Sequence, residues 1–131
     1  FIMYEFYNKL KLPSYAPPGF VFYYVWMFLY FLMFISFGIL LFMPKSLLQV
    51  FGLGIFALQI FVNFLWPYIF FKWKNIGLSC VISLLLLLLV AFMTLIFFKI
   101  SLILGWMQVP YLLWIIFANV LNFDVYRLNK N

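Results

Sequence analysis

Gln59, Asn63 and Trp66 fall at i, i+4 and i+7, a spacing that puts two amides and an indole on one face of a helix. Tyr111, Trp114, Ala118 and Asn122 form a similar stripe, and Phe22, Trp26, Tyr30 and Met33 a third. Polar and large aromatic residues aligned in this way inside a bilayer need partners, and a ligand pocket is one place to find them. The same amides have a structural use, since interhelical bonds between them are worth about 0.6–2 kcal/mol each. Spacing alone leaves both uses open.

Other chemistries are excluded by composition. The chain has no His, and its only carboxylates are Glu5 and Asp124, so a His-based triad, a carboxylate pair within the membrane and a zinc site all lack their residues. There is no P-loop. Cys80 is the single cysteine and forms no intrachain disulfide; it reads as an inert membrane thiol. Nothing here calls for a metal or a cofactor.

The stripes need elements to carry them, and hydropathy supplies these. Of the 131 residues 70% are hydrophobic and only 8% charged, against the roughly 25% charged of soluble domains. With a mean hydropathy of +1.23, the chain takes lipid as its solvent. A bilayer core of about 30 Å needs about 20 apolar residues per helix, and four stretches qualify: residues 20–43, 47–71, 76–98 and 102–125. Short breaks between them make neighbouring helices antiparallel, which predicts an all-α integral membrane bundle forming one transmembrane domain.

Cations divide unevenly between the two ends. Lys9, Lys11, Lys72, Lys74, Arg127 and Lys130 share one side, while Lys45 and Lys99 occupy the other. The positive-inside rule places the six-cation side, with the C-terminus, in the cytoplasm. This reading of the +6 charge needs no nucleic acid. Trp73, Trp106 and Tyr126 near span ends suit interface anchors, and Ser79 and Ser83 a small-residue packing face.

Proline sharpens the pattern. Pro67 leaves the carbonyl of Asn63 without its helical partner and predicts a kink, and Pro110 does the same to Trp106. Residues 8–18, with Pro13, Pro17 and Pro18, cannot be helical throughout and are expected to cap one end of the bundle. Residues 1–7 are apolar but too short to span, and read as the last turns of a preceding helix.

Four motifs occur in a specific order: Leu12-Pro13-Ser14-Tyr15-Ala16-Pro17-Pro18; Val25-Trp26 through Tyr30; Gln59, Asn63 and Trp66 with Phe70-Phe71; and Pro110-Tyr111-Leu112, Trp114, Phe117-Ala118, Leu121-Asn122. In this the chain resembles the translocator protein family, also called TspO/MBR or tryptophan-rich sensory proteins. The resemblance implies five membrane helices, the four spans here being the second to fifth and residues 1–7 the tail of the first. It implies a homodimer, and the Phe-, Ile-, Asn- and Lys-rich composition favours a bacterial plasma membrane, with the mitochondrial outer membrane the expectation for a eukaryotic chain. The resemblance also implies a pocket for porphyrins such as protoporphyrin IX, for cholesterol in some members, and for benzodiazepine-site drugs. Carried onto this sequence, that pocket comprises Tyr15, Pro17, Trp26, Tyr30, Asn63, Trp66, Trp114, Phe117, Ala118 and Leu121.

Two departures stand out. Tyr15 occupies a loop position where the family usually has Trp, and the regions around Ile82-Ser83 and Leu86-Leu87 lack an acidic residue and a Trp often found there. A cholesterol-recognition pattern can be fitted to Leu121, Tyr126 and Lys130, but such patterns arise by chance at many helix ends.

Three functions compete. The first is a receptor or sensor that binds porphyrin. The second is a light-dependent porphyrin-degrading enzyme in which Trp26 and Trp114 are catalytic. The third is a porphyrin or cholesterol transporter, for which the sequence shows neither an inverted repeat nor an ionisable residue at mid-membrane.

Overall fold

The computed structural model describes residues 10–129, so the expectations for residues 1–7, and for Lys9 and Lys130, lie outside the described residues. Regular structure within that range is helical: α1 (Gly19–Phe42), α2 (Leu47–Pro67) continued by a π-helical turn (Tyr68–Lys72), α3 (Ile76–Ile100) and α4 (Leu102–Asn129). All four are long and apolar enough to cross a membrane. Phe34 at 77% and Phe42 at 92% exposure are among many large apolar side chains on the outer surface. Water would not tolerate such a surface and lipid does, which makes this a multi-pass integral membrane protein.

Local chemistry sets the boundaries. Met43 precedes Pro44 and turns extended, ending α1. The Ser46 side chain caps α2 by accepting from the Gln49 N–H at 3.1 Å, and Asn75 caps α3 by accepting from Leu78 at 3.0 Å. The missing N–H of Pro67 breaks the α ladder, and the chain responds with a wider turn in place of a simple bend. Trp73 N–H reaches back to the Tyr68 carbonyl, and Asn75 N–H to that of Ile69, both at 3.1 Å. Lys74, at φ 56°, takes the left-handed conformation that reverses the chain into α3. Pro110 leaves α4 continuous.

The helices form an antiparallel ring in which α3 and α4 share the most extensive contact. Ser101 alone separates these two, and their close approach depends on Gly105: a Cβ there would sit 2.2 Å from the Phe98 ring. Gly105→Ala is therefore expected to force the helices apart, costing about 1–3 kcal/mol, and a lowered melting temperature in detergent checks it.

Side-chain packing fills one half of the ring with a dry core that includes Leu40, Phe56, Val90, Met93, Phe97 and Leu104. A smaller cluster at the opposite end joins Phe70, Leu121 and Val125 to Leu12 and Ala16 of the loop before α1. Lys11, Lys74 and Arg127 mark this second end, where the loop, the turn before α3 and the end of α4 come together. Between the two clusters the ring stays open.

Candidate functional site

The opening is a cavity of about 230 Å³ between α1, α2, α3 and α4. Each stripe on α1, α2 and α4 turns part of itself toward it. Trp26 and Tyr30 stack on the α1 side, with ring centroids 5.7 Å apart and planes 29° apart. On the α2 side, Trp66 stacks on Phe70 at 5.1 Å and meets Phe71 edge-on at 5.9 Å. Ala118 and Leu121 face the cavity from α4, and Ser83 and Leu86 from α3.

Hydrogen bonds fix these walls. The Trp66 indole donates to Asn122 Oδ1 at 2.7 Å, and the Asn122 amide donates to Ser79 Oγ at 3.1 Å, tying α2, α4 and α3 at one point. Asn119 donates to the Ser83 carbonyl at 3.0 Å, one turn further along. Ser79 and Ser83 thus do form the small-residue face between α3 and α4, and Ser83 also lines the cavity. On the other wall Tyr30 donates to Asn63 Oδ1, and Asn63 Nδ2 donates to Tyr111 Oη at 2.6 Å. Tyr111 in turn donates to Gln59 Oε1 at 2.8 Å. Asn63 therefore serves both uses that its spacing allowed, glue between helices and a polar point on the cavity wall.

The loop lies across the end of the bundle and is fastened in two places. Asn129 and the backbone of Lys11 exchange two bonds, of 3.0 and 2.8 Å. Tyr15 donates its hydroxyl to Asp124, whose other oxygen pairs with Arg127 at 2.9 Å. Desolvation, and then the hydrogen bond and charge of Asp124, push the Tyr15 phenol up to about 12, so it keeps its proton as the donor.

Of the ten positions carried from the resemblance, Trp26, Tyr30, Asn63, Trp66, Ala118 and Leu121 line the cavity. The other four stand behind or above it. Trp114 meets Trp26 edge-on at 6.4 Å and Phe22 at 5.4 Å, and leans on Phe117 at 5.3 Å. Phe117 in turn takes the edge of Tyr15 at 6.1 Å, so an aromatic chain runs from the loop to the cavity wall. Pro17 is half-buried in the loop.

Sequence reasoning passed over Phe70, Phe71, Asn122 and Asp124 as site residues. Asn122 was already on the α4 stripe, and Pro67 was the signal that the two phenylalanines after it leave the α-helical register. Asp124, the carboxylate nearest the end of the fourth span, had no sequence signal that it would hold the loop.

A family model described as TspO/MBR matches residues 2–127. The chain belongs to the TspO/MBR family. Among its relatives, "Protein CrtK" of Rhodobacter capsulatus is 39% identical over 94% of this chain and 78% of its own length. The "Tryptophan-rich sensory protein" of Cereibacter sphaeroides is 35% identical over 97% and 78%. The human "Translocator protein" is 32% identical over 95% and 75%. The match to the TspO/MBR family runs over nearly the whole chain, and the cavity takes Trp26, Tyr30, Asn63, Trp66, Ala118 and Leu121 from the motifs and Ser83 and Leu86 from the region that departs from them.

Proposed function

We propose that this protein is a membrane receptor for porphyrins, with the cavity between α1, α2, α3 and α4 as the binding site. The observation that carries this reading is that two stacked aromatic pairs, Trp26 with Tyr30 and Trp66 with Phe70, line one cavity together with the Asn63 amide. Such rings stack on a flat macrocycle while one polar point orients it. A sterol, also rigid and apolar, fits the same requirement. The cavity measures about 230 Å³, below the roughly 300–1,000 Å³ of most ligand pockets, and Leu12 and Ala16 of the loop pack against its lining residues Phe70, Leu121 and Val125, so room for a porphyrin is made when the loop and these side chains yield.

The reading extends to orientation and assembly. The cation-rich end, with the loop and the C-terminus, lies in the cytoplasm of a bacterial plasma membrane, supported by the charge asymmetry. Assembly is as a homodimer, in keeping with the family resemblance. Titration of the purified protein with protoporphyrin IX in the dark tests the binding claim. Saturable quenching of Trp fluorescence at one porphyrin per chain is expected, and its absence would overturn the receptor reading.

A second reading is favoured by one contact, the edge-to-face meeting of Trp26 and Trp114. An indole beside a photoexcited porphyrin can lend it one electron and recover that electron as dioxygen, the oxidant, adds to and opens the macrocycle, chemistry that needs no acid, base or metal from the protein. Under illumination Trp26→Phe is then expected to slow the loss of the bound porphyrin's main absorption band several-fold. An unchanged rate would remove Trp26 from that chemistry.

A further inference from the structure

Behind the cavity wall lies a chain of polar groups whose last member is incomplete. Tyr30 donates to Asn63, Asn63 to Tyr111 and Tyr111 to Gln59, so three hydrogen bonds all run in one direction, away from the cavity. Gln59 is fully buried, and its Nε2 has no hydrogen-bond partner among the described residues. A buried donor left in this state costs about 1–3 kcal/mol. Only Tyr30 and Asn63 reach the cavity; Tyr111 and Gln59 sit deeper.

Each group in this chain can exchange its roles. A hydroxyl both donates and accepts, and a half-turn of an amide swaps its oxygen for its nitrogen. Reversed, Gln59 Nε2 donates to Tyr111, Tyr111 donates to Asn63 Oδ1, and Asn63 Nδ2 donates to Tyr30. Three bonds survive the reversal. At the deep end the atom left over becomes the Gln59 carbonyl, a less costly orphan than an N–H. At the cavity end the Tyr30 hydroxyl changes from spent donor with free lone pairs to free donor.

We propose that Gln59, Tyr111, Asn63 and Tyr30 form a reversible hydrogen-bond relay that lets the cavity's polar point either accept from a guest or donate to it, with Gln59 and Tyr111 as positioning residues that never touch the guest. This rests on the cavity being a ligand site, and it adds which polar edges that site takes: an N–H or hydroxyl donor in one direction of the relay, a carbonyl-type acceptor in the other. A fixed wall would take one of these and reject the other, because a mismatched buried pair leaves two groups unsatisfied.

Three planar tricyclic probes of nearly equal size separate the possibilities: fluorene, with no polar edge; carbazole, with an N–H donor; and 9-fluorenone, with a carbonyl acceptor. Affinities are measured by calorimetry on the detergent-solubilised protein, corrected for partition into empty micelles. In the wild type, carbazole and fluorenone are each expected to bind about fivefold tighter than fluorene, the value of one net hydrogen bond. The carbonyl stretch of bound fluorenone should move to lower frequency.

Replacing the deep amide with an apolar side chain of similar length, Gln59→Met, removes the acceptor that draws the Tyr111 proton inward. The relay is then held in its reversed direction. Carbazole is expected to lose most of its advantage in this variant while fluorenone keeps its own, with fluorene affinity unchanged as the control for folding. Tyr30→Phe should remove both advantages.

An advantage confined to one polar probe in the wild type would overturn the relay, as would a fluorenone advantage that persists in Tyr30→Phe. The wild-type and Tyr30→Phe arms decide the matter even if Gln59→Met fails to fold. Failure of fluorene itself to bind would overturn the cavity reading, and the relay with it, whereas three equal wild-type affinities would overturn the relay alone.

Discussion

Ala118→Phe is expected to weaken protoporphyrin binding at least about tenfold while leaving the fold intact. Ala118 faces the cavity from α4, in the same lining as Trp26, Tyr30 and Trp66, and its small side chain leaves space that a planar guest would fill. A phenyl ring there would occupy that space and keep a guest from stacking on both walls. Loss of two stacking contacts at about 0.5–1.5 kcal/mol each accounts for the tenfold change. Because the ring enters a cavity and does not invade the close-packed core around Val90, Met93 and Phe97, the melting temperature should hold or rise. Ala118→Gly serves as the control, with an affinity within about twofold of wild type. Quenching titrations of the three proteins check both expectations.

The second large effect concerns access. Tyr15→Phe removes the hydroxyl that fastens the loop to Asp124 and keeps the ring that packs on Phe117. Tyr15 is 45% exposed, so water competes for this bond and its loss loosens the loop without unfolding it. Loop opening should then become roughly a few-fold more frequent. Association and dissociation of porphyrin, followed by stopped-flow quenching, are both expected to speed up by about that factor, with the dissociation constant changing much less. Asn129→Ala, which cuts the second fastening at Lys11, should add to the effect.

The fastening also has a pH signature. Its donor is the neutral phenol, whose titration is displaced from 10.0 to about 12 by burial and by Asp124. The contribution of this bond is complete from the acid range, where the Asp124 carboxylate that this bond holds low would take up a proton, up to about pH 10, and disappears as pH rises toward about 12. In wild type, porphyrin exchange should accelerate over that interval. In Tyr15→Phe it should be fast throughout.

Much of this architecture was legible because lipid imposes a simple code. Apolar runs of membrane length become helices, and an amide or indole at helical spacing within such a run has few places to go other than the interior. Spacing put Trp26, Tyr30, Asn63, Trp66 and Ala118 on stripes, and the family resemblance named them, with Leu121, as a pocket; all six line one cavity. What stayed hidden depends on pairings between distant parts of the chain. Tyr15 and Asp124 are 109 residues apart, and nothing in either neighbourhood announces the other. The placement of Trp114 behind Trp26 follows from how α4 rotates against α1, which a stripe on one helix cannot specify. The role of Phe70 depends on the π-helical turn: Pro67 told where the α register would fail, but not that the chain would widen instead of bending.

The central claim is that the cavity, and no lipid-facing surface, receives the porphyrin. The most direct measurement is an experimental structure of the protein with protoporphyrin IX bound in the dark. The account predicts planar density between the Trp26 and Trp66 walls, in contact with Ala118 and with one polar edge at the Tyr30–Asn63 pair. Porphyrin density only on the outer face of the helices, with the space beside Ala118 unfilled, would contradict it.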